Sequence, residues 1–238
     1  GKTANQTKTV PIPDGFNFDM WVGPAPEAEF CPARVGVNFR WILDYSGGQL
    51  TDWGGHHPDC AQWGLGTERT GPVAIKNQKA QWAKHPVYNT ATEYYFECHY
   101  ASGVKLIIAN RDYRPKDERE VPWRGGVTFI GEDGWVWANR GRHDAGPKSI
   151  LKEKIGPEET HLYQSDNHVK NFIDSMFSRK ETVAPIEVAH RSISLAHLGN
   201  ISMRLGRDLK WDPATEKIAG DKSANELLSR AYRKPWVL

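Results

Sequence analysis

Val127-Thr128-Phe129-Ile130-Gly131-Glu132-Asp133-Gly134-Trp135-Val136-Trp137-Ala138 decides the fold class. Two short apolar runs flank an acidic turn bounded by glycines, which is the pattern of a β-hairpin, and hairpin strands pair antiparallel. Upstream, Glu93–Tyr100 and Val104–Ala109 repeat the pattern about Ala101-Ser102-Gly103, and Val73–Ile75 adds a further strand. Downstream the period changes. Val169, Phe172, Ile173, Met176 and Phe177 recur at helical spacing within Asp166–Arg179, with Ser165 or Asp166 as the expected cap. Ile193, Leu195, Leu198, Ile201 and Leu205 do the same within Val188–Leu205, which Gly206 stops, and Asn225–Tyr232 reads as a short final helix. Residues 1–35 read as an extended strand followed by an arm, because Gly23-Pro24-Ala25-Pro26 and Cys31-Pro32 oppose a helix. Residues 139–160 read as a basic surface connection, and Arg111, Arg114 and Lys116–Glu120 as a solvated loop. No linker interrupts residues 40–210, so strands followed by helices predict one α+β domain over residues 1–238.

Composition excludes several functions. With 39% apolar and 25% charged residues, the chain is an ordinary globular one. A net charge of +2, from 31 basic and 29 acidic residues, gives no reason to expect nucleic acid as a partner. No apolar run approaches the ~18 residues of a membrane span, so no membrane partner is expected. Three widely spaced cysteines, Cys31, Cys60 and Cys98, exclude a disulfide framework and a C-x-x-C metal knuckle. They suit a reducing compartment and leave the location open between cytoplasm and periplasm. No G-x-G-x-x-G follows an expected strand, so the chain by itself offers no nucleotide cradle. Ten tryptophans supply either core volume or flat platforms for sugar rings and bases.

Chemistry concentrates in Gly47-Gly48-Gln49-Leu50-Thr51-Asp52-Trp53-Gly54-Gly55-His56-His57 and the Pro58-Asp59-Cys60-Ala61-Gln62-Trp63 that follows. One helical turn would set Asp52 and His56 on the same face. A carboxylate can hold an imidazole in one tautomer, and an imidazole shuttles protons near neutral pH. Pro58 is favoured in a first helical turn, so the alternative is a helix that begins near His56, with Asp52 on its approach. Adjacent His56 and His57 point to different helix faces, unlike the ligands of H-E-x-x-H, and no metal is expected. Asp59 reads as a helix N-terminal charge or as a hydrogen-bond partner behind the site. Arg40, Trp41 and Tyr45 supply the donors and the apolar platform that a polyol needs, or else form a rim strand with a half-buried indole. His57, His168, His190 and Arg191 complete the candidate substrate contacts, although helix histidines are more often satisfied within a core. Trp135 and Trp137 share a strand face and read as sheet packing or an oligomer contact.

Gly47–Trp63 resembles the second domain of the glucose–fructose oxidoreductase / inositol dehydrogenase / rhizopine-catabolism (Gfo/Idh/MocA) family. The resemblance extends through Phe18–Pro26, Asn38–Trp41, His168–Asp174 with Ser178–Lys180, Ala189–Ser192, His197–Ile201 and Arg204–Arg207, and the closing Leu209–Pro213 and Pro235–Leu238 match a bacterial subgroup. It implies a two-domain enzyme whose N-terminal Rossmann domain binds NAD or NADP. This chain would be the C-terminal α+β domain, a large open, predominantly antiparallel sheet with helices on one face. The implied partners are its own N-terminal domain, a small carbohydrate substrate, and further copies docked through the sheet as a homo-oligomer. His56 would accept the proton of a sugar or polyol secondary alcohol, assisted by Asp52. The family's glutamate-lysine-proline lysine matches no residue here, so the chain alone is expected to hold no cofactor and to be inactive. Two other readings are a redox-assisted glycosidase or lyase of the same family, and a non-catalytic carbohydrate-binding or scaffold module.

Overall fold

A computed structural model describes residues 2–110, 121 and 124–237, which fall into two compact units. The first is assembled from Gly1–Gly54, Gly71–Arg114 and Leu195–Leu238, the second from Gly55–Thr70 and Pro115–Ser194. The fold is α+β, and every strand pairing among the described residues is antiparallel.

The first unit is built on a five-stranded sheet. In chain order its strands are β1 (Ala74–Trp82), β2 (Ala91–His99), β3 (Lys105–Ala109), β7 (Leu209–Asp212) and β8 (Lys217–Ile218), laid side by side as β3-β2-β1-β7-β8. β2 alternates as a half-buried strand should: Tyr94, Phe96 and Cys98 turn to the core, Tyr95 and His99 away from it. Helix α5 (Ile186–Leu205) begins in the second unit and contributes Leu195–Leu205 to the first. Leu195, Leu198 and Ile201 are buried there, each stabilising by about 1.5–3 kcal/mol. Gly199 sits against Phe96, where an added Cβ would lie 2.2 Å from Cζ.

Glu97 is the exception on the outer side of β2, being buried at 6% exposure. Its carboxylate accepts from Tyr95 Oη at 2.7 Å and Asn77 Nδ2 at 3.0 Å, lies 2.9 Å from His99 Nε2, and has Lys105 Nζ at 3.6 Å. Burial alone would raise its pKa. The bonds from Tyr95, Asn77 and His99, with the charge of Lys105, outweigh burial and hold it at about 2. Asn77 reaches this position from a bulge in β1 at φ 56°, a conformation Asn tolerates better than most residues.

The second unit contains a three-stranded meander, β4 (Val127–Ile130), β5 (Trp135–Asn139) and β6 (Arg142–Gly146). Helix α3 (His57–Leu65) packs on β4, with Gly64 against Phe129. Gly66 ends α3 at φ 64°, its N–H reaching back to the carbonyls of Gln62 and Trp63. Helix α4 (His168–Ser178) is amphipathic, yet Val169, Phe172, Ile173, Met176 and Phe177 are all exposed.

Several expectations need correction. Among the described residues no strand forms over 2–35. Pro11 and Pro13 lack the N–H a ladder requires, and Asn17 instead caps a short helix, α1 (Phe18–Val22), accepting from Met20 N at 2.9 Å. Phe18 and Val22 then join Phe30 in a small aromatic cluster. Residues 139–160 include strand β6 rather than a plain connection. Asn167, not Ser165 or Asp166, caps α4. The final helix starts earlier, as α6 (Lys222–Asn225) behind the cap Asp221, and continues as a 3-10 turn to Leu228. The expected loop at Arg111, Arg114 and Lys116–Glu120 lies outside the described residues.

Candidate functional site

Asp52 and His56 do not share one helix. Asp52 lies in helix α2 (Gln49–Gly54), whereas His56 is the N-cap residue of α3, with backbone φ −116° and ψ −76° between the two helices. Pro58 enters the first turn of α3, where its missing N–H costs nothing, and this fixes the break after Gly54–Gly55. The Asp52 carboxylate is engaged by Arg40, whose Nη1 donates to Oδ2 at 2.7 Å. Both side chains are more than a third exposed, so this pair orients more than it stabilises. Arg40 also donates Nε to Val37 O. Trp41 is half-buried, and its carbonyl accepts from Asn89 N. Tyr45 meets Trp21 edge-to-face at 5.1 Å, and burial raises its pKa despite the opposing charge of Arg34. Arg40, Trp41, Tyr45 and Asp52 therefore all belong to the first unit.

Within the second unit, α3 and the opening turns of α5 enclose a groove of about 770 Å3, lined by Gly55, Asp59, Trp63, Glu187, His190 and Ser192 among others. Ser192, at 1% exposure, donates Oγ to Asp59 Oδ1 at 2.6 Å and so fixes the carboxylate at the groove wall. His190 is exposed on α5 and lines the groove. Arg191, the adjacent candidate, instead donates Nε to Glu187 Oε1 at 2.8 Å. This bond and the guanidinium charge hold the Glu187 carboxyl below its usual range. His57 turns toward the meander. Burial lowers its pKa, and the neighbouring His56 and Arg140 charges add to this, against a hydrogen bond with Asn139. His168 is the first residue of α4, exposed and outside the groove lining.

Of the sequence candidates, the groove collects His190, Asp59 and the segment leading into His56, while Trp63, Glu187 and Ser192 are additions. Asp59 and Trp63 are one turn apart on α3, a spacing visible in the sequence. Their meeting with Ser192, 133 positions away, is not.

Carboxylates, an imidazole, a hydroxyl and an indole around one groove can bind hydroxyl-rich molecules, the polar groups taking hydroxyls and the indole an apolar ring face. Among the described residues no group of three or more His, Cys, Asp or Glu side chains is placed to hold a metal ion. A dinucleotide cradle needs a parallel βαβ unit with a helix N-terminus at the pyrophosphate. The antiparallel pairings do not fit that requirement, so no described residue is assigned to a nucleotide. No helix among the described residues is long and apolar enough to cross a membrane.

A family model described as "Oxidoreductase family, C-terminal alpha/beta domain" matches residues 1–238. No relative among the curated proteins matches the chain.

Proposed function

The chain belongs to the oxidoreductase family of Gfo/Idh/MocA type as its C-terminal alpha/beta domain, and from that premise we propose that it binds a sugar or polyol for oxidation of a secondary alcohol. The observation that carries this reading is the groove between α3 and α5, where Asp59, His190, Glu187 and Ser192 face Trp63. Hydroxyls on adjacent carbons bind the carboxylates and the imidazole, and the indole covers the apolar face of the carbon chain. His56 follows Gly55 of the groove wall and accepts the hydroxyl proton, since an imidazole is the side chain that ordinarily titrates nearest neutral pH. Asp52 is kept as the assisting carboxylate on its four-residue spacing, with Arg40 as its own partner. NAD or NADP, held by a separate nucleotide-binding domain of the same protein, completes the proposal. Self-association through the five-stranded sheet belongs to it too. The carbon-bound hydrogen is assigned to no residue of this chain.

The test uses the full-length protein, assayed with sugars and polyols and either nicotinamide nucleotide. His56→Asn is expected to lower kcat by about 10²–10⁴-fold with KM little changed. Trp63→Ala is expected to raise KM instead. Undiminished turnover by His56→Asn would sink the assignment.

A further inference from the structure

The meander carries a second cavity that the oxidoreductase reading leaves unused. Its volume is about 580 Å3, and Arg124, Gly125, Trp137, Asn139, Gly141, Arg142 and His143 line it. The strand register separates it from the α3 groove. Phe129 pairs with Val136 on the side that meets α3, so Trp137 and its partner Asp144 face the other way. Three cations, Arg124, Arg142 and Lys148, stand here against one carboxylate. The Arg124 guanidinium carbon lies 3.7 Å from the centroid of the Trp137 ring, and Arg124 donates Nη2 to Asp144 Oδ2 at 3.2 Å, while Lys148 bonds the other oxygen of Asp144. Arg142 makes no ion pair with any described residue.

A buried donor points to a ligand. Trp137 is 5% exposed, and its indole Nε1 finds no hydrogen-bond partner, although buried donors are almost always satisfied. Gly126, at φ 123°, only just fits beside that donor: a Cβ there would lie 2.8 Å from Nε1 and 2.5 Å from Ala138 O. The exposed Arg142 guanidinium and the unmet Trp137 indole N–H are donors, and an acceptor-rich group satisfies both together.

We propose that this cavity binds an oxyanion, a carboxylate or phosphate group of a small organic molecule, through Arg142, Arg124 and the Trp137 indole N–H. Either group accepts bidentately from a guanidinium, and the cavity volume lies in the range of small-molecule sites. A neutral sugar would leave the charges unmatched.

The proposal is tested on the full chain by calorimetric titration with inorganic phosphate and, separately, with acetate, acetamide serving as the uncharged control. Saturable binding of either anion and none of acetamide is the expected result, and which anion binds separates the phosphate from the carboxylate source. Arg142→Gln, at an exposed strand position, should weaken binding by about tenfold or more with the fold retained. The indole N–H resonance of Trp137, assigned through Arg124→Gln by loss of the stacked cation, should move downfield as the anion binds. Absence of saturable binding by both anions, equal binding by Arg142→Gln, or an equal response to acetamide would each overturn the proposal.

Discussion

Each unit holds a helix to a sheet by setting a glycine against a phenylalanine, and the two contacts differ in depth. In the first, Gly199 of α5 meets Phe96, which is 0% exposed; in the second, Gly64 of α3 meets Phe129, which is only partly buried. The geometry is the same, with an added Cβ 2.2 Å from Cζ in both. What differs is whether the ring has somewhere to go. A ring enclosed on all sides transmits an intrusion into its neighbours, whereas one at a margin relieves it by turning.

The largest separation is expected from removing the rings. Phe96→Ala should cost about 3–5 kcal/mol, and Phe129→Ala clearly less, measured by urea unfolding of the chain. Equal losses would mean that the two contacts do not differ in depth. Filling the glycines should give the next largest effect. Gly199→Ala overpacks Phe96 at a cost of about 1–3 kcal/mol, from which about 1 kcal/mol of helix propensity is recovered. Gly64→Ala, with a ring able to move, should come out near neutral.

The other side of β2 supplies a pH test. The Glu97 pKa is depressed from 4.5 to about 2, so its charged form stabilises the fold fully above pH 4.5. That contribution is lost as pH falls from about 4.5 toward 2. An acid titration of the Glu97→Gln variant should lack this loss and start from a stability lower by about 1 kcal/mol at neutral pH. An unchanged acid profile would show that the cluster around Glu97 does not hold its charge. Smallest of all should be Phe177→Lys on α4. At 84% exposure the ring buries little, and stability should shift by no more than about 0.5 kcal/mol.

The hairpins at Glu93–Ala109 and Val127–Ala138 were legible because period-two alternation and turn residues are local signals. Helix α5 was legible for the same reason. Strands β7 and β8 were not. Leu209–Asp212 pairs with β1, more than 120 positions away, and no local pattern reports such a partner. At the site, Pro58 already signalled that a helix could begin beside His56, and the structure takes that course rather than one turn shared with Asp52. The Asp52–Arg40 and Asp59–Ser192 bonds join residues 12 and 133 positions apart, so their pairing was not legible even where each residue was conspicuous.

By itself, the sequence determined the α+β class, the antiparallel hairpins, the helices α4 and α5 and the family, because periodicity, turn chemistry and motif strings are written in neighbouring residues. Only the tertiary structure decided which partner takes each carboxylate, which glycine admits which ring, and that the apolar stripe of α4 stays uncovered among the described residues. Those outcomes depend on which distant surfaces meet, and burial, pairing and steric fit exist only after they have met.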